Sequence, residues 1–217
     1  MLNTASLLQW NMSDEELVRQ VLAGDVNAWA PLAHRHNQRI YRACRSIVSN
    51  AAEAEEALQD AFVRAYRQLS QFRGDIPFVT WLTKVAVFEA LARRQPRPNL
   101  RPELVSKQRN AAGIEEAVDS LPPNLRTVFV LCRIQGLRVA ETAACLLLDR
   151  ETVDARLQHA ERMLQKHISA PLSERDAAQV FLLKGTRSGE LTDRMMEKIS
   201  RRADQRYFAA GPQFTAR

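Results

Sequence analysis

Residues 53–94 read EAEEALQDAFVRAYRQLSQFRGDIPFVTWLTKVAVFEALARR, and this stretch decides the fold. Leu58, Ala61, Phe62, Ala65 and Leu69 recur at the spacing of one face of an α-helix. Glu56, Gln59, Asp60 and Arg67 fall on the opposite face, so Gln59 and Asp60 are expected to be exposed. After the loop QFRGDIP, Phe78, Trp81, Leu82, Val85 and Ala92 trace a second apolar stripe. Pro77 stands at its start, where a missing N–H costs nothing.

Working outward, Ser13-Asp14-Glu15-Glu16 is a capping box ahead of Leu17, Val18, Val21 and Leu22. Gly24 stops that helix and Asp25 caps the next. Trp29, Leu32, Ala33, His36, Ile40, Ala43, Cys44 and Ile47 mark the inner face of the following helix, with Pro31 disturbing its opening turns. His34 and His36 are two apart and so face different sides of a helix, which argues against a metal pair. From Arg93 to Asn110, Arg93, Arg94, Arg97, Arg101, Lys107 and Arg109 stand against a single Glu103, and three prolines favour extended backbone. This segment suits contact with nucleic acid or an acidic channel. It equally suits a solvated hinge, and composition alone does not separate the two.

A second helical unit follows. Leu121-Pro122-Pro123 is a break, and Leu125, Val128, Phe129, Leu131, Cys132 and Ile134 form a helix that Gly136 stops. Val139–Leu147 is short. Asp149 then caps a longer helix whose inward stripe is Val153, Leu157, Ala160 and Leu164. A short helix, a tight turn and a longer helix make a helix-turn-helix pattern. Past it, Leu191, Met195, Met196 and Ile199 fit one more amphipathic helix, followed by Arg201, Arg202 and Arg206. Such a tail either packs on the preceding units or binds another protein.

The run AEEALQDAFVRAYRQLSQFRG with FVTWL, in that order and spacing, resembles region 2 of bacterial RNA polymerase sigma factors of the extracytoplasmic-function (group IV) type. LVRQVLAGDVNAW and RIYRA extend the likeness back to Leu17. LPPNLRTVFVLCRIQGL and VAETAACLLLDRETVDARLQHA resemble region 4. The resemblance implies an all-α chain: a region 2-like bundle at 13–95, a basic linker at 96–112, a region 4-like helix-turn-helix at 113–168 and a C-terminal extension at 169–217. It implies a promoter-specificity subunit that binds core RNA polymerase and promoter DNA and answers to an anti-sigma factor.

By the same likeness, Glu55, Glu56, Gln59 and Asp60 dock on the polymerase, and Phe72, Arg73, Lys84 and Phe88 hold the melted −10 strand. Aromatics within a basic groove are the chemistry that grips separated bases. Arg150, Thr152, Arg156, His159 and Arg162 face the −35 duplex. Five positions depart from the family pattern. Phe88 stands where an Asn usually reads a flipped base. Leu147 replaces the turn glycine. Asp154 and Ala155 replace a basic residue and a Ser, and His159 replaces an Arg. A second reading therefore stays open, in which the chain is a sigma-like interaction protein that reads DNA poorly. An ordinary helix-turn-helix repressor is a third, but it leaves the order of motifs in 53–94 unexplained.

Composition fits this picture. The net charge of +6 permits nucleic-acid contact without proving it. No run of eighteen apolar residues exists, and MLNTASLLQWNM lacks a signal peptide's basic start, so a cytoplasmic protein without membrane insertion is expected. Cys44, Cys132 and Cys145 make no CxxC pair and read as buried structural thiols rather than metal ligands. The seven glycines form no phosphate-cradling loop, and nothing resembles a nucleophile–base pair. Neither catalysis nor a cofactor is expected.

Overall fold

The computed structural model describes residues 9–48, 50–94, 111–166, 173–183 and 185–209, the side chains of 111, 112, 185, 186 and 202–209 excepted. Among the described residues the regular elements are all helices. Helix α1 spans Asp14–Leu22, and the capping box forms as the sequence dictates: the Glu16 amide donates to Ser13 Oγ and the Ser13 amide to the Glu16 carboxylate. Gly24 follows the helix at φ +103°, a left-handed conformation that a Cβ would strain. Asp25 caps a single 3₁₀ turn, Val26–Ala28, that leads into α2, Trp29–Ile47. Pro31 thus lies in the first turn of α2, where its missing N–H breaks no helical bond.

Helices α3 (Ala51–Gln68) and α4 (Phe78–Arg93) pack with α2 into one bundle. The stripe read from α3 is wholly buried, Leu58 through Leu69. Trp29 sits at the centre, edge-on to Phe62, Tyr66 and Phe78. Each large apolar side chain removed from water contributes about 1.5–3 kcal/mol, so these rings add substantially to the bundle's stability. One expectation fails in α4. Ala92 is exposed, while Ala86, Val87 and Ala90 are buried. Neighbours cover α4 on more than one side, α7 among them, so a single stripe does not describe it.

The second unit begins with α5, Ala111–Asp119, which starts two residues inside the span read as linker. The linker itself lies outside the described residues. Helix α6 runs Pro123–Phe129 and continues as a wider π turn, Val130–Ile134, before Gly136 at φ +71° ends it. Helix α7 (Val139–Leu146) and helix α8 (Arg150–Gln165) form the helix-turn-helix. Val153, Leu157, Ala160 and Leu164 are buried as the stripe requires. The Thr152 amide donates to Asp149 Oδ1 at 2.6 Å, which confirms the cap.

The two units lie against each other, a feature the sequence did not signal. Arg45 of α2 grips Asp119 with two hydrogen bonds, 2.8 and 2.7 Å. Arg126 shares the same carboxylate at 2.8 Å and also donates to the Ser46 carbonyl at 2.8 Å. Burial pulls the Arg126 guanidinium below its ordinary pKa, and Asp119 opposes that. Gln135 donates to the Arg39 carbonyl at 3.0 Å, and the Arg39 guanidinium returns a bond to the Gln135 carbonyl. All three cysteines are buried and unpaired.

Two further helices follow among the described residues. Helix α9 spans Glu174–Gln179, capped by Ser173, and α10 spans Gly185–Ala209. The expected stripe of α10 turns inward: Leu191, Met195 and Ile199 are fully buried, and Met196 partly. Of the two options for the tail, packing on the preceding units is the one the fold takes, with α10 lying on α2 and α3.

Candidate functional site

The α3 face holds Glu55, Glu56, Gln59 and Asp60 together, because spacings of three and four put these positions on one side of a helix. Their environments differ. Glu56 projects to solvent, and Arg93 from the end of α4 bridges it at 2.8 Å and also pairs with Asp60. The Asp60 hydrogen bond, with the charges of Asp60 and Glu56, holds the Arg93 guanidinium above its ordinary pKa against the opposing effect of burial. Glu55 receives a two-pronged contact from Arg187 of α10, at 2.7 and 2.9 Å. Gln59 is only 8% exposed, against expectation, because α10 lies over it and Lys198 donates to its amide oxygen at 2.9 Å. Lys198 also stands 3.9 Å from Asp60.

The second cluster is aromatic. A 3₁₀ turn, Leu69–Gln71, ends α3 and delivers Phe72. Phe72 is half-buried, 5.6 Å edge-on to Phe78 and 5.5 Å from Trp81. Arg73 is exposed beside it, and Lys84 is half-buried. Phe88 is 43% exposed. Trp81, Lys84 and Phe88 follow at steps of three and four, so one side of α4 carries them in line with Phe72. Trp81 reads from sequence mainly as core. The structure leaves it half-buried against Phe72, on the side of α4 that its spacing to Lys84 and Phe88 marks out.

The third cluster is the outer face of α8. Arg150, Asp154, Ala155, His159 and Arg162 are exposed, and Arg156 is half-buried. Thr152 does not project freely: its hydroxyl donates to Asp149 Oδ2 at 2.8 Å. Its amide and hydroxyl bonds together hold the Asp149 carboxyl below the usual range. Leu147, in the turn before α8, adopts a left-handed backbone, φ +53° and ψ +46°, with its side chain 66% exposed. His34 and His36 serve structure instead. His36 Nε2 lies 2.8 Å from Asp14, and Trp10 packs edge-on to His34.

An acidic helix face, an aromatic loop beside a helix, and a helix-turn-helix define a class: helical transcription factors built from sigma regions 2 and 4. Family models agree, with Sigma-70 region 2 matching residues 32–95 and Sigma-70 region 4 matching residues 112–164. SigM of Mycobacterium tuberculosis, an ECF RNA polymerase sigma factor, is 30% identical over 164 residues, covering 71% of this chain and 84% of the relative. The RNA polymerase sigma-H factor of Pseudomonas aeruginosa is 28% identical over 186 residues, covering 74% of this chain and 96% of its own length. CnrH, solved in complex with the cytosolic domain of CnrY, superposes with a TM-score of 0.54 at 27% identity, over 70% of this chain and 95% of CnrH. The chain belongs to the ECF family of RNA polymerase sigma factors. Among the described residues no helix is long and apolar enough to cross a membrane.

Proposed function

We propose that this protein, a promoter-specificity subunit of RNA polymerase, seats on the core enzyme through Glu55, Glu56, Gln59 and Asp60. In this reading residues 13–95 bind core and the −10 element, 96–112 link the units, 113–168 read the −35 element and 169–217 form an extension. The grouping of three carboxylates and an amide on one face of α3 carries the proposal. An acidic helix face steers toward a basic surface and fixes register on it.

Beside that face, Phe72, Arg73, Lys84 and Phe88, with Trp81 in line, hold a separated strand by stacking and phosphate contact. Strand opening is then driven by binding: stacking on aromatics, about 1–3 kcal/mol per base, offsets lost base pairing. The protein positions and opens DNA in the cytoplasm without catalysing a reaction of its own. An anti-sigma factor is its expected regulator.

Arg150, Arg156, His159 and Arg162 contact the −35 duplex. Thr152 contributes by holding the α8 cap. Asp154 favours a second reading, a sigma-like regulator that binds polymerase but reads DNA poorly, because its charge faces the phosphates with the wrong sign. Reconstitution with purified core decides between them. Sequence-selective opening supports the first reading, and core association without opening supports the second. The docking face is tested by Gln59→Ala with Asp60→Ala, expected to weaken core affinity about tenfold even though Lys198 of α10 loses its contacts to both residues. Unchanged affinity in a direct binding assay would count against it.

A further inference from the structure

The face proposed to meet the polymerase is already occupied in this chain. Helix α10 lies across α2 and α3 with Leu191, Met195 and Ile199 sunk into the bundle. The cations that flank this apolar stripe reach the docking residues themselves: Arg187 takes Glu55, and Lys198 takes Gln59 and stands near Asp60. The Asn37 side chain, wholly buried, donates to the Thr192 hydroxyl at 2.8 Å and to the Ser188 carbonyl at 3.1 Å.

The approach to α10 is fastened as well. Arg42 donates to the Val180 carbonyl at 3.0 Å. The Gln38 amide donates to the Phe181 carbonyl at 2.9 Å, and its oxygen accepts from the Leu183 amide at 2.8 Å. Phe181, turned at φ +51°, packs its ring 4.6 Å beneath the Arg45 guanidinium. The described part of the tail is therefore a docked element with apolar and polar registration.

We propose that helix α10, with the described segment 173–183 before it, is an internal mask over the polymerase-docking face of α3, displaced when core polymerase binds. The proposal rests on the reading of that face given above. Glu55 and Gln59 do not serve Arg187, Lys198 and a partner surface at the same time. Apparent core affinity is then the intrinsic affinity multiplied by the fraction of molecules whose mask is open. The polar part of the latch is made by exposed cations, so it is weak enough to be exchanged for a partner's own cations.

The test uses the full chain and purified core polymerase. Arg187→Glu with Lys198→Glu sets like charges against Glu55 and Asp60 and leaves the apolar stripe of α10 untouched. This pair is expected to tighten core binding about tenfold and to speed amide hydrogen exchange across residues 191–199. Arg194→Glu with Arg201→Glu changes net charge equally, at exposed positions that pair with Glu190 and Glu197 of the same helix. That control is expected to bind like the parent. Equal tightening in both pairs, or none in the first, overturns the mask. In the opened protein, adding Gln59→Ala and Asp60→Ala is expected to lose the gained affinity and more. If it loses none, the docking face itself is wrong and the mask falls with it; if only the mask is wrong, the alanine pair still weakens binding in the parent.

Discussion

Two faces carry the proposed partner contacts, and the chain treats them differently. The acidic face of α3 is largely spoken for within the molecule, by Arg93, Arg187 and Lys198. The outer face of α8 stands open, with Arg150, Asp154, His159 and Arg162 exposed. The contrast teaches that access and chemistry are separate requirements, and each face meets one of them. The α3 face is chemically complete but obstructed. The α8 face is accessible but less basic than the resemblance leads one to expect, with an acid at 154 and an imidazole at 159.

The comparison breaks most severely if the joint between the two units is removed. Asp119→Ala leaves the guanidiniums of Arg45 and Arg126 without their carboxylate, and Arg126 is 4% exposed. A loss of about 3 kcal/mol is expected, read as a fall in the chemical-denaturation midpoint. A loss below about 1 kcal/mol would show that the carboxylate does not hold the units together.

The α8 side is sharpened by Asp154→Arg. Two added units of positive charge on an exposed face are expected to tighten −35 duplex binding about tenfold and steepen its dependence on salt. No change would mean that α8 is not placed against DNA. A smaller effect is expected from Leu147→Gly. The left-handed backbone at Leu147 strains any residue with a Cβ, so glycine is expected to raise stability by about 1 kcal/mol, measured as a rise in Tm. A fall in Tm would show that the exposed leucine packs against something in solution.

The smallest effect concerns the anchoring of α1. Burial pushes the Asp14 carboxyl upward, but its bonds to His36 and Arg35 prevail and hold it below the ordinary 3.8. A carboxyl depressed in the folded state stabilises fully above its unfolded pKa and loses that contribution as pH falls through the lower folded value. Asp14→Asn is therefore expected to flatten the acid limb of stability below about pH 4, followed by tryptophan fluorescence. An acid limb identical to the parent's would remove Asp14 from the account.

Much of this was legible in the sequence because it is local. The buried stripe of α3, the box at Ser13 and Glu16, the cap at Asp149 and the stop at Gly136 each depend on residues within a turn or two of one another. The stripe of α4 was only half legible, since Ala86, Val87 and Ala90 are buried by neighbours that no local period announces. The joint was not legible at all. Arg126 meets the Ser46 carbonyl across 80 positions, and nothing near either residue marks the pairing. The same holds for Gln59, hidden by Lys198 from 139 positions away. Helical periodicity set Gln59 off the core stripe, but the sequence carries no sign of which distant helix will cover it.

The cysteines have one practical consequence. Burial pushes the Cys145 thiol up to about 11 and raises those of Cys44 and Cys132 as well. At neutral pH each sulfur is both shielded and protonated, which removes the thiolate that alkylating reagents require. The native chain is therefore a silent background for maleimide chemistry, and a dye pair placed on α3 and α10 through two added surface thiols would report the distance between those helices in the otherwise unaltered protein.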